Sequence, residues 1–106
     1  MPKYLWKATY TPEGAKGVLK EGGTARREAV EKLLADVGGT LESFHFAFGE
    51  DDAILIVDLP DNVTAAAVAL TVGGAGVVGV STTVLLTPEE LDAASKKTVS
   101  YRPPGR

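Results

Sequence analysis

Three observations in the sequence predict an α+β fold. Strand-like alternation and helix-start signals follow one another as strand, helix, strand, strand, helix, strand. The second and third strands flank Gly49-Glu50-Asp51-Asp52, which reads as the turn of an antiparallel hairpin. The strands also carry apolar residues on both faces, whereas helices on a single side should leave the other face polar.

The elements follow from local signals. A strand over Lys3–Tyr10 places Tyr4, Trp6, Ala8 and Tyr10 on one face and Leu5, Lys7 and Thr9 on the other. Thr11 is suited to cap a helix that has Pro12 in its first position. Ala15, Val18 and Leu19 form its apolar side, and Gly22-Gly23 should stop it. Thr24 is expected to cap a second helical segment from Ala25 to about Val37, with Val30, Leu33, Leu34 and Val37 as its buried stripe. Gly38-Gly39 ends that segment. The next strand, Thr40–Phe48, is expected to turn Phe44, Phe46 and Phe48 to one face and Leu41, Ser43, His45 and Ala47 to the other. The strand Ala53–Asp58 is apolar on both faces. Asp61 or Asn62 should cap a helix from Val63 to about Val72, whose Ala65, Ala66, Ala67 and Ala69 permit close packing. Gly73, Gly74, Gly76 and Gly79 are expected to break the chain into a last strand over about Val80–Leu86. Thr87-Pro88-Glu89-Glu90 is a capping-box sequence for a short helix to about Lys96. The tail, residues 97–106, holds Pro103-Pro104 and should run extended.

This order is the split β-α-β, or ferredoxin-like, arrangement with an added C-terminal helix. It implies a four-stranded antiparallel sheet with both main helices on one face. The uncovered face calls for a partner, most simply a second copy of the chain, so a homo-oligomer of at least two copies is expected.

Composition narrows the possibilities. A length of 106 residues suits one domain spanning 1–106 and allows roughly two thirds of the unfolded surface to be buried. The formal net charge of −3, with mixed signs along the chain, argues against nucleic-acid binding. Cysteine is absent, which excludes disulfides, thiolate metal sites and cysteine nucleophiles. No run of about 18 apolar residues suggests a membrane partner, and no signal-peptide pattern opens the chain, so a soluble cytoplasmic protein is expected.

Four segments carry a family resemblance: Tyr10-Thr11-Pro12-Glu13-Gly14, Glu21-Gly22-Gly23-Thr24-Ala25-Arg26-Arg27-Glu28, Phe46-Ala47-Phe48-Gly49-Glu50-Asp51-Asp52 and Ile56-Val57-Asp58-Leu59-Pro60-Asp61. In these the chain resembles the GYD-domain family over about Lys3 to Pro104. The resemblance implies a dimeric α/β-barrel type of protein, in which two ferredoxin-like sheets pack face to face. It implies a fold rather than a reaction. In the motif that names the family, Gly49 and Asp52 match, but Asp51 stands at the tyrosine position.

Few residues invite chemistry. His45 is the only histidine, and histidine is the side chain that titrates near neutral pH. A hairpin closed over Glu50-Asp51 would set Ser43 opposite Asp58 and His45 opposite Ile56, gathering Ser43, His45 and Asp58 as candidate catalytic residues. No nucleophile elbow surrounds Ser43, so a polar rim in an interface is the favoured reading. Lys7 could meet an anion, or could lay its stem on apolar surface with its amine in water. Trp6 and Tyr10 could stack on a ligand, and Arg26 and Arg27, at the start of a helix, could hold an anion. Glu50-Asp51-Asp52 lacks the alternating oxygen ligands of a calcium loop and reads as a solvated turn. No cofactor motif and no metal site are expected.

An oligomeric small-ligand-binding or interaction protein accounts best for these features. The alternative is a cofactor-free enzyme, a small monooxygenase or isomerase, using a cavity between paired sheets with His45, Lys7, Tyr10 and Asp58 as acid–base or orienting groups. In either case Trp6, Phe44 and Phe46 are expected to anchor the core or the assembly.

Overall fold

The computed structural model describes residues 1–106. The elements are β1 (Lys3–Tyr10), α1 (Pro12–Glu21), α2 (Gly23–Asp36), β2 (Thr40–Phe46), β3 (Ala53–Asp58), α3 (Asn62–Ala75), β4 (Val78–Leu85) and α4 (Pro88–Ser95). The sheet has strand order β2-β3-β1-β4, and every neighbouring pair is antiparallel. This is the ferredoxin-like arrangement, and it puts the apolar strands β1 and β3 at the centre.

Side-chain alternation sorts the sheet into two faces. Tyr4, Trp6 and Ala8 of β1 and Ala53, Leu55 and Val57 of β3 are buried in a single core with Val30 and Leu34 of α2 and Ala65 and Val68 of α3. Burying a large apolar side chain stabilises by about 1.5–3 kcal/mol, so this face dominates the folding energy. The tyrosine ring is included without loss, because Tyr4 Oη donates to Asn62 Oδ1 at 2.6 Å. Trp6 and Phe44 therefore belong to the helix-covered face, and Phe46 lies on the same side. Trp6 is a core residue and Phe44 packs against the core, whereas Phe46 is 41% exposed.

The opposite face is open. Its rows read His45–Ile54–Lys7–Ser81 and Ser43–Ile56–Leu5–Thr83 across the four strands. Leu5, Ile54 and Ile56 make a central apolar patch with polar residues around it, and Ile54 is 37% exposed.

Several boundaries differ from the sequence-based expectation, each for a local reason. Thr11 caps α1 as predicted, its side chain accepting from Gly14 N. Thr24 does not cap α2: Gly22, at φ 85°, turns the chain so sharply that α2 starts at Gly23 without a side-chain cap. A β-bulge between Leu41 and Ser43 shifts the register by one and puts Leu41 against the core rather than beside Ser43. Strand β2 stops at Phe46, and Phe48 is fully exposed. The connection is wider than a tight hairpin because Asp52 is drawn inward: its N–H donates to Ala8 O at 2.8 Å and its carboxylate accepts from Tyr10 N at 2.8 Å. Helix α3 continues through Gly73 and Gly74 and ends only at Gly76, which is left-handed at φ 78°.

Leu86 to Arg102, including all of α4, is exposed. The predicted capping box is present, with Glu90 N donating to Thr87 Oγ1 and Thr87 N to Glu90 Oε1. This arm makes the molecule elongated, 56 × 33 × 23 Å, with a radius of gyration of 16.9 Å, where a compact domain of this length would have about 13 Å.

Two stability predictions follow from this packing. A Cβ on Gly39 would lie 2.5 Å from the Asp58 carbonyl oxygen and 2.8 Å from Leu59 Cδ2, whereas one on Gly73 of α3 would meet nothing within 4 Å. In urea denaturation Gly39→Ala should cost about 1–3 kcal/mol, and Gly73→Ala should add about 0.5–1 kcal/mol. Asp61 caps α3 by accepting from Thr64 N at 2.8 Å, and the hydrogen bonds from Thr64 lower its pKa from 3.8. A lowered carboxylate pKa stabilises the fold above the unfolded value, and this contribution is lost as pH falls through the folded value. The wild type should therefore melt above Asp61→Asn at neutral pH, and the difference should close below about pH 4.

Candidate functional site

The helix-covered face is not evenly covered. Helix α2 packs on β2 at one edge, and α3 on β4 at the other. Between them a cleft of about 50 Å³ opens over the middle of the sheet. Trp6 and Leu55 belong to its floor, Val30 and Leu33 of α2 to one wall, and Val68 and Val72 of α3 to the other. The helical stripe of α2 supplies its wall through i, i+3 spacing, which sets Val30 and Leu33 on one face. A second chamber of about 240 Å³ adjoins it, lined by Glu13, Gly14, Gly17 and Glu21 of α1. Tyr10, Arg26 and Val78 line both chambers and so mark where they meet.

Two polar groups stand out in this apolar setting. Trp6 is 6% exposed, and its indole Nε1–H has no hydrogen-bond partner. Most buried polar groups in proteins are paired, and leaving one unpaired costs about 1–3 kcal/mol. Arg26 is half-buried, is the one charged residue lining the inner chamber, and makes no ion pair. Arg27, one position along α2, is instead turned outward and pairs with Glu31 at 3.6 Å, with both side chains about half exposed.

The candidate ligand residues thus separate. Trp6, Tyr10 and Arg26 come together in the cleft. Lys7 lies exposed on the open face, and Arg27 is engaged within its own helix. The sequence reading missed Phe44, Val72 and Val80 as cleft residues, since an apolar side chain in a lining looks the same in sequence as one in a core. It also passed over Gly14 and Gly17. Their three-residue spacing puts them on one face of α1, and a Cβ on Gly14 would collide with the Val77 carbonyl oxygen.

Ser43, His45 and Asp58 share the open face, but not in the expected register. Ser43 is opposite Ile56, His45 opposite Ile54, and Asp58 opposite Thr40. The hairpin is centred one residue earlier than supposed, which moves each β3 partner by two residues, and the bulge adds a further step. Asp58 is occupied elsewhere: Lys3 Nζ bridges Asp58 Oδ1 and Glu42 Oε1, each at 2.9 Å, and Thr40 Oγ1 donates to Asp58 Oδ2 at 3.5 Å. The Lys3 ammonium is held above its usual pKa, first by the hydrogen bond to Glu42 and then by that to Asp58. No hydrogen bond joins His45 to Ser43 or Asp58. In the acidic turn, Asp52 serves the β1 backbone, and Glu50, Asp51 and Asp52 do not form a group placed to hold a cation.

The family model described as the GYD domain matches residues 4–95. The chain belongs to the GYD-domain family. The match takes in the whole sheet, the two cleft helices and α4, and stops short of the proline-containing tail. No curated protein and no solved structure matches this GYD domain. No helix in it is long and apolar enough to cross a membrane.

The phenylalanines of the β2 region should separate by energy. Phe44 lines the cleft and packs against the core, whereas Phe48 is fully exposed. Urea denaturation of Phe44→Ala should show a loss of about 3 kcal/mol, and that of Phe48→Ala a change within about 0.5 kcal/mol.

Proposed function

We propose that this GYD domain is a small-molecule-binding protein that works as a self-associated unit. One observation carries the binding reading: a cleft with apolar walls and Trp6 in its floor is lined by a half-buried guanidinium, that of Arg26, without a counter-ion. Apolar walls with a few convergent polar groups are the usual composition of a ligand site. Arg26, which has no ion-pair partner within the fold, can pair with an anionic ligand.

The open sheet face and the exposed arm support self-association. Leu5, Ile54 and Ile56 form an apolar patch on a face no helix covers, and Leu86, Leu91, Val99 and Tyr101 are exposed along the arm. An eight-residue helix is marginal on its own in water, so α4 gains most from a surface to pack on. A second copy of the chain offers one, and its own uncovered sheet face is apolar at the centre and polar at the rim in the same way. Catalysis by Ser43, His45 and Asp58 has less support, because no hydrogen bond links them and they lie across the sheet from the cleft.

Native mass spectrometry of protein purified gently from its source tests both parts. A dimer or higher oligomer carrying a small extra mass per subunit is expected. Ile54→Lys, which sets a charge in the middle of the patch, should yield monomers of unchanged fold by circular dichroism. A wild-type monomer, or an Ile54→Lys oligomer of undiminished mass, would remove the assembly reading. A ligand that survives Trp6→Phe and Arg26→Gln unaltered would remove the cleft as its site.

A further inference from the structure

We infer that the cleft takes a small aliphatic monocarboxylate, its charge at Arg26 and its apolar body in the inner chamber over Trp6. This rests on the cleft being the ligand site and adds the class of ligand.

The charge follows from Arg26. A guanidinium pairs best with a planar carboxylate through two parallel hydrogen bonds. Arg26 is half-buried and unpaired, at the junction of the two chambers. The carboxylates nearest in the lining, Glu13 and Glu21, make no ion pair with it. The guanidinium is therefore left for an anion that comes from outside.

The number of charges follows from those same two glutamates. They line the outer chamber, into which any second carboxylate of the ligand would project. Like charges set close together disfavour such a ligand, so a dianion is selected against.

The size follows from the inner chamber, whose volume is about 50 Å³. An apolar protein cavity of about 150 Å³ accommodates benzene. The body that fits here is smaller than an aromatic ring, and a short branched chain suits walls built from Val30, Leu33, Val68 and Val72.

The chain has a single tryptophan, and it lines this cleft. Its fluorescence therefore reports on the site directly. Isobutyrate and isovalerate, their primary amides, and succinate should be titrated against the full chain, with melting temperature as a second readout. Both acids are expected to change Trp6 emission saturably and to raise the melting temperature. The amides and succinate should bind at least about tenfold more weakly. Arg26→Gln should abolish the preference for acid over amide, and Arg26→Lys should restore part of it. Amides that bind as tightly as the acids, or an acid preference that survives Arg26→Gln, would overturn the carboxylate assignment while leaving the cleft as a binding site. Silence from every probe in both readouts would overturn the inference. The general binding reading would then stand or fall on whether a mass is retained in native mass spectrometry.

Discussion

The structure depends on one packing constraint: the row Tyr4, Trp6 and Ala8 of the central strand β1 must be buried, and only α2 and α3 are available to bury it. The row narrows from two large aromatic side chains to a methyl group. Near Tyr4 the ring and its hydrogen bond to Asn62 tie β1 to the start of α3. Further along, the indole of Trp6 lies in the floor of the cleft between α2, packed on β2 at one edge, and α3, packed on β4 at the other.

The same arrangement ties the site to stability. The floor and walls of the cleft are core residues, so the groups that would contact a ligand also hold the fold together. Such a site is shaped by rigid elements rather than loops, and its dimensions are set by side chains that close packing keeps in place. The polar groups at its edge are the exception. Arg26 can vary without removing apolar burial, and it is where a ligand's charge would be read. The open sheet face works differently, since its patch of Leu5, Ile54 and Ile56 is held in place by strand pairing and needs no helix to position it.

Much of the fold was legible in the residues, because caps and alternation are local. Thr11 with Pro12, Asp61 and the Thr87 capping box all act where their spacing indicated. Misreadings arose where a distant contact outweighed a local preference. Gly73 and Gly74 do not end α3, because a helix tolerates glycine at about 1 kcal/mol each when its earlier turns are already packed. Asp52 reads as one more acidic turn residue, yet the backbone of β1 draws it inward. The bulge beside Leu41 left no mark in the alternation, and it moved that side chain to the other face.

The candidate site was legible by membership and not by grouping. Trp6, Tyr10 and Arg26 could be singled out by residue type alone, along with Lys7 and Arg27, which proved to lie elsewhere. By itself the sequence determined the order of elements, the ferredoxin-like class and the absence of thiol chemistry, since these follow from local periodicity and composition. Only the tertiary structure decided that Trp6 and Arg26 meet in one cleft while His45 and Asp58 sit across the sheet from it. The reason is physical: a strand's two faces are fixed by parity, but the gap between two helices depends on the side chains packed between them, and these come from distant parts of the chain.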